Sequence, residues 1–179
     1  MKLEEKTLSS KEIFSGRIIK VRVDTVSLPD ERESTREIVE HSGAVGIVAV
    51  DDKNNIRLVR QYRKPVEKIL LEIPAGTLEQ NEEALNCAKR ELAEETGLHA
   101  GRWEKILSYY STPGFTDEEL HLYLAQDLTP GKTSLDADEF LESVSIPLEE
   151  AYRMIFTGQI VDGKSIIGIQ NAFYSLVRG

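Results

Sequence analysis

The sequence predicts an α/β (α+β) fold in which a mixed sheet is flanked by helices. Three observations carry that prediction. Ala44-Val45-Gly46-Ile47-Val48-Ala49-Val50 is an unbroken apolar run, the pattern of a strand buried on both faces. Several other short segments alternate in polarity, and one longer segment has helical periodicity. The elements run strands, helix, strands, helices, an order that places helices against a sheet. A chain of 179 residues, 40% hydrophobic and 30% charged, is long enough to bury such a core without disulfides.

In residues 17–26, Ile19, Val21, Val23 and Thr25 share one face, so this segment reads as a strand. Residues 34–41 read as a second strand, with Pro29-Asp30-Glu31 as turn material between the two. After the strand at 44–50, Asp52-Lys53-Asn54-Asn55 turns the chain into a strand at 56–62, and 70–74 forms another. Residues 82–95 predict a helix, because Leu85, Ala88 and Leu92 recur on one face with Ala84 beside them. Asn81 is the expected N-cap and Gly97 the expected stop. Strands follow at 103–109, 119–125 and 140–146. A helix at 148–157 stops near Gly158, and a last helix covers 165–177.

The formal net charge of -9 argues against nucleic acid as a partner, since a phosphate backbone needs a basic face. It does not exclude a small anion, because bound cations invert the local field. The single cysteine, Cys87, cannot form an intramolecular disulfide and reads as a small buried apolar group rather than a nucleophile. No apolar run approaches the length of a membrane span and the N-terminus lacks an apolar signal region, so a cytoplasmic location is the default. His41, His99 and His121 have no catalytic or zinc-binding spacing.

The chemistry is concentrated in residues 76–98, GTLEQNEEALNCAKRELAEETGL. Glu91, Glu94 and Glu95 lie three and four residues apart, so their carboxylates reach one region of the helix surface. They also stand at the negative end of the helix dipole, where each anion costs on the order of 0.3–1 kcal/mol. A helix built for stability would carry its acids in the first turn. Converging carboxylate oxygens suit a hard cation such as Mg²⁺. Taken alone, the helix also fits a solvated acidic face.

The whole spacing is more specific. Gly76, Glu82 and then Arg90-Glu91-Leu92-Ala93-Glu94-Glu95-Thr96-Gly97-Leu98 resemble the Nudix box at every defining position. The resemblance implies an α/β/α sandwich and the hydrolysis of a nucleoside diphosphate linked to a further group. It also implies two or three Mg²⁺ ions, with Mn²⁺ as the alternative, that neutralise phosphate oxygens and activate water. On this resemblance Glu91 and Glu95 are the principal metal ligands, Glu94 and Glu82 assist, and the Ala75 carbonyl completes a metal shell. Arg90 orients the carboxylates by charge-assisted hydrogen bonds.

A second cluster points to the substrate. Ser111-Thr112-Pro113-Gly114-Phe115, with Pro113 sixteen residues past Gly97, resembles the ADP-ribose pyrophosphatase subfamily. The stretch at 35–44 around Arg36 and the stretch Arg57-Leu58-Val59-Arg60-Gln61-Tyr62-Arg63 resemble it as well. The resemblance implies that Arg36 contacts the nucleotide, Arg63 the diphosphate, and Glu118 the adenine amino group, with Pro113, Gly114 and Phe115 nearby. The general base is expected on the acidic loop at 136–142 as Glu139, which would also reach a metal, with Asp138 and Glu142 as rivals. A homodimer is expected, in which residues 1–42, a small antiparallel β segment, cross to the partner while 43–179 form the catalytic domain. Apolar groups near Phe14 to Ile18, Ile18 among them, would then stack on adenine. The alternatives are another Nudix substrate (a nucleotide sugar, a dinucleotide or a damaged nucleoside triphosphate) and a non-catalytic nucleotide-sensing module.

Overall fold

A computed structural model of the chain describes residues 3–134 and 140–178. It contains two compact units, Met1–Gly43 with Tyr109–Glu119, and Ala44–Ser108 with Leu120–Gly179.

The first unit is built on a three-stranded antiparallel sheet, β1 (Lys6–Ser15), β2 (Ile19–Ser27) and β3 (Glu33–His41), in that order. The expected turn lies between β2 and β3, with Glu31 in the left-handed region at φ 66° and its N–H donating to the Leu28 carbonyl. The sequence reading assigned no strand to β1. All ten of its residues are exposed and bulges interrupt it twice, so no alternation marks it. In β2 the buried positions are Asp24 and Val26, opposite the apolar face read from the sequence. Asp24 is tolerated there because Ser10 Oγ donates to it at 2.6 Å and Arg22 pairs with it at 3.0 Å. The segment 109–119 belongs to this unit through β3: Val39 N–H donates to the Phe115 carbonyl at 2.8 Å, and His41 N–H to Asp117 Oδ1 at 2.8 Å.

The second unit holds a seven-stranded mixed sheet. Its main path is β10 (Leu141–Pro147), β5 (Asn55–Arg63), β4 (Ala44–Val50), β9 (Glu119–Pro130) and β8 (Leu98–Tyr110). β6 (Lys68–Glu72) pairs with β5, and β7 (Ala75–Thr77) pairs with β4. β4 and β9 run parallel, whereas β4 meets β5 and β7 antiparallel. The expected burial of β4 on both faces is observed. Val45, Ile47 and Ala49 pack with Cys87, Ala88 and Leu92 of α1 (Ala84–Thr96). On the other face α3 (Gly163–Leu176) approaches closely at Gly168, where an added Cβ would lie 2.6 Å from Val48 Cγ2. With α2 (Leu148–Phe156), these helices make the three-layer arrangement. Each fully buried aliphatic side chain in it is worth about 1.5–3 kcal/mol.

Of the boundaries that differ from expectation, two flank the acidic helix. Helix α1 starts at Ala84 with Glu83 as N-cap, because Asn81 takes φ 63°, a left-handed conformation incompatible with the expected cap. Glu82 therefore lies in the preceding loop. β8 begins at Leu98 rather than 103, directly after Gly97, whose φ of 65° ends the helix as expected while its N–H returns to the Ala93 carbonyl. Among the described residues no helix is long and apolar enough to cross a membrane.

Candidate active site

The short strand β7 and the loop after it bring the chain back across the C-terminal half of α1. Backbone and helix meet most closely at two points. Ala75 N–H donates to Glu95 Oε2 at 3.1 Å. Gly76 lies against the Glu91 carboxyl, and an added Cβ there would fall 1.9 Å from both Glu91 Cδ and Oε1. Glu91 and Glu95 are 8% and 2% exposed, so the solvated acidic face does not describe them. Buried carboxylates at the negative end of a helix need partners.

Arg90 is the hub of that partnership. Its Nε and Nη2 donate to the two oxygens of Glu82, each at 3.0 Å. Its Nη1 donates to Glu91 Oε1 at 2.7 Å and to Glu94 Oε2 at 3.0 Å. The guanidinium fork thus gathers three carboxylates. The hydrogen bonds from Arg90 draw the Glu82 carboxyl down to about 2, and those same carboxylates hold the guanidinium above its ordinary value. Cys87 is buried beside them, and desolvation first, then the charge of Glu82, pushes its thiol up to about 12. A thiol so protonated is no nucleophile, in agreement with its reading as core.

Arg63, at the end of β5, is part of a network that sequence reading missed. Its Nε and Nη2 donate to Glu72 Oε1 and Oε2 at 2.8 and 2.9 Å. Glu72 also accepts from Lys164 Nζ. Burial alone would raise the Glu72 carboxyl, but the hydrogen bonds and charges of Arg63 and Lys164 hold it below its ordinary value. The only sequence signal was Glu72 itself, a charged residue next to the apolar Leu70-Leu71-Ile73.

Most of the remaining candidates lie in the first unit. Arg36 on β3 is engaged by Glu5, with Nε and Nη2 donating to the carboxylate at 2.8 and 2.5 Å. Pro113, Gly114 and Phe115 stand on the exposed connection between β8 and β9 that docks on β3. Glu118 lies 3.9 Å from His41 Nδ1. Ile18 is exposed and borders a cleft of about 300 Å³ with Lys20, Glu40 and His41. Asp138 and Glu139 lie outside the described residues. Glu142 falls on β10, exposed and 3.2 Å from Arg60.

The metal assignment can be tested on this geometry. Among the described residues no three acidic or histidine groups form a ready-made metal cage. Arg90 binds Glu82, Glu91 and Glu94 instead. The donors nevertheless fit a hard divalent cation, since all are oxygens and Gly76 leaves room for the Glu91 carboxyl.

A buried carboxylate pair, a gathering arginine and a glycine cradle on one loop-helix-loop define a family, and the chain belongs to it: the NUDIX domain model matches residues 40–166. The nucleoside diphosphate sugar hydrolase N-terminal domain matches residues 5–39. Hydrolysis in this family takes a divalent metal. Among relatives, the chain is 46% identical to a methanol dehydrogenase activator of Bacillus methanolicus over 93% of this chain and 91% of that one. It is 45% identical to an ADP-ribose pyrophosphatase of Bacillus subtilis (strain 168) over 94% and 92%. A solved structure described as an ADP compounds hydrolase shares the fold at a TM-score of 0.87, covering 100% of both chains at 21% identity.

Proposed function

We propose that the chain hydrolyses the pyrophosphate of ADP-ribose with Mg²⁺, giving AMP and ribose 5-phosphate. The observation that carries this reading is the pair Glu91 and Glu95, buried at the helix end where acids are least stable, and gathered toward Ala75 and Gly76. An assembly that costs stability where it stands is expected at a functional site. The likeness to an ADP-ribose pyrophosphatase across both units supports the choice of substrate.

In this reading Glu91, Glu95 and the Ala75 carbonyl would hold Mg²⁺, with Glu94 and Glu82 assisting. The ion, when bound, supplies neutralisation of phosphate oxygens and a water of lowered pKa. Arg90 keeps the carboxylates aimed. Arg63 steadies the diphosphate and Arg36 the nucleotide. Pro113, Gly114, Phe115, Glu118 and Ile18 surround its adenosine end. Glu139 accepts the proton of the attacking water as the P–O bond of the bridge breaks. Residues 1–42 serve as an exchanged dimerisation segment on the catalytic domain 43–179. The full exposure of β1 supports this, with Leu8, Ile13 and Phe14 each more than half in solvent.

Product chromatography with Mg²⁺ and a panel of ADP-ribose, ADP-glucose, GDP-mannose, NADH, diadenosine polyphosphates and oxidised dGTP tests the reading. AMP and ribose 5-phosphate forming fastest from ADP-ribose supports it. Faster turnover of another compound keeps the box chemistry and overturns the substrate. An active monomer on gel filtration overturns the exchanged dimer.

A second reading, favoured by the 46% identity to a methanol dehydrogenase activator, is that the chain raises the activity of an alcohol dehydrogenase. Alcohol oxidation by purified methanol dehydrogenase, unchanged on adding this chain, would exclude it.

A further inference from the structure

The roles above leave a largely enclosed cation without a task. Lys164 lies in the first turn of α3, where the positive end of the helix dipole disfavours a cation. Its side chain is only 12% exposed. Its Nζ donates to Glu72 and stands 3.0 Å from Asp162 Oδ2. Asp162 caps α3, accepting from Ser165 N–H at 3.0 Å and from Ser165 Oγ at 2.5 Å. Ser165 Oγ in turn accepts the Ile73 N–H at 2.8 Å, two residues before the box approach at Ala75. Two carboxylates, Glu72 and Asp162, therefore face two cations, Lys164 and Arg63, and the network is neutral.

Arg63 uses one edge of its planar guanidinium, Nε and Nη2, on Glu72. The other edge carries further N–H donors, and the side chain is 38% exposed. Arg63 also feels the negative charge of Glu95 and of Asp162. Without Lys164, one guanidinium would answer two carboxylates beside an acidic box, and its field would be cancelled before any anion arrived.

We propose that Lys164 is a positioning residue for the anionic part of the substrate: by balancing Glu72 and Asp162 it leaves the charge of Arg63 available to a diphosphate. The inference rests on the hydrolysis reading above. It assigns to α3, far from the box in sequence, a share of substrate affinity.

The test is steady-state kinetics on ADP-ribose with wild type, K164M, D162N and K164M/D162N, alongside melting curves in chelator. Asn remains a good N-cap, so D162N removes charge and keeps the cap. K164M is expected to raise KM about tenfold, which one uncompensated charge acting across about 12 Å at an effective dielectric of about 20 supplies, with kcat nearly unchanged. The double variant restores neutrality and returns KM toward wild type. An unchanged KM in K164M overturns the inference, and so does a raised KM that the double variant leaves raised, since that marks a packing role. If K164M does not fold, D162N alone decides: a KM below wild type supports the charge balance, and a KM equal or higher overturns it. Absence of wild-type turnover overturns the hydrolysis reading and this inference with it, whereas turnover with an indifferent Lys164 overturns the inference alone.

Discussion

Replacing Gly76 with alanine adds one methyl group at the point where β7 crosses α1. Gly76 does not have a positive φ, so alanine brings no backbone strain of its own. The new Cβ would meet Glu91 Cδ and Oε1 at 1.9 Å, against the 3.4 Å at which ordinary contact begins, so the carboxyl must withdraw by about 1.5 Å. The displaced group is the end of a flexible side chain and can move. Its departure loosens the 2.7 Å bond to Arg90, a partly exposed pair worth about 1 kcal/mol or less. For a domain of this size that lowers Tm by about 2–4 °C. Catalysis is far more sensitive, since a misplacement of about 1 Å at a reacting centre costs on the order of 100-fold, or about 2.7 kcal/mol of barrier. G76A should therefore lose about two orders of magnitude in kcat/KM on ADP-ribose while melting within a few degrees of wild type. Calorimetry and a coupled AMP assay on the same preparation measure both. Near-normal kcat/KM would refute the claim that Glu91 must occupy the Gly76 cradle. A collapse of Tm would show that the glycine serves folding instead.

Further outcomes follow from the same geometry. Glu91→Gln keeps the side-chain volume and should lose more than about 100-fold in turnover at every Mg²⁺ concentration, with circular dichroism unchanged; recovery at high Mg²⁺ would reduce Glu91 to an affinity aid. Glu139→Gln should lower kcat more than it weakens the metal, and a larger effect from Glu142→Gln would move the base to β10. The Glu82 carboxyl sits at about 2 when folded against an ordinary 4.5. Its contribution to stability is therefore complete above about pH 4.5 and is lost as pH falls toward 2. In denaturant titrations across that window R90M should flatten the acid limb, and an unaltered limb would show that the Arg90–Glu82 pair does not govern it.

What could be read in the sequence was what neighbouring residues decide. The apolar run of β4, the stop at Gly97 and the face of α1 defined by Ala88 and Leu92 depend on local pattern, and the structure has them where that pattern put them. The spacing of Glu91, Glu94 and Glu95 was legible for the same reason, and so was the reach of Arg90. Their burial was not, because it depends on β7 returning over the helix. The cap failed because Asn81, a good capping residue by composition, serves the loop in a left-handed conformation instead. β1 escaped notice because an exposed strand has no buried face to impose alternation. The Glu72–Lys164 bond joins residues 92 apart in the chain, and no local window contains both. The same holds for Phe115 and Val39, whose pairing places the Pro113 loop with the N-terminal sheet.

That last pairing bears on how such chains can be recombined. Exchanging the first forty-odd residues between two relatives looks like a clean cassette swap, since all three strands of the small sheet lie there. It would leave behind the recipient's 109–119 segment, whose Phe115 carbonyl and Asp117 N–H are matched to the backbone of Val39. The heritable module is therefore discontinuous. A chimera made in one cut would graft a new sheet onto an old loop, while one made in three cuts would carry both pieces of the unit together.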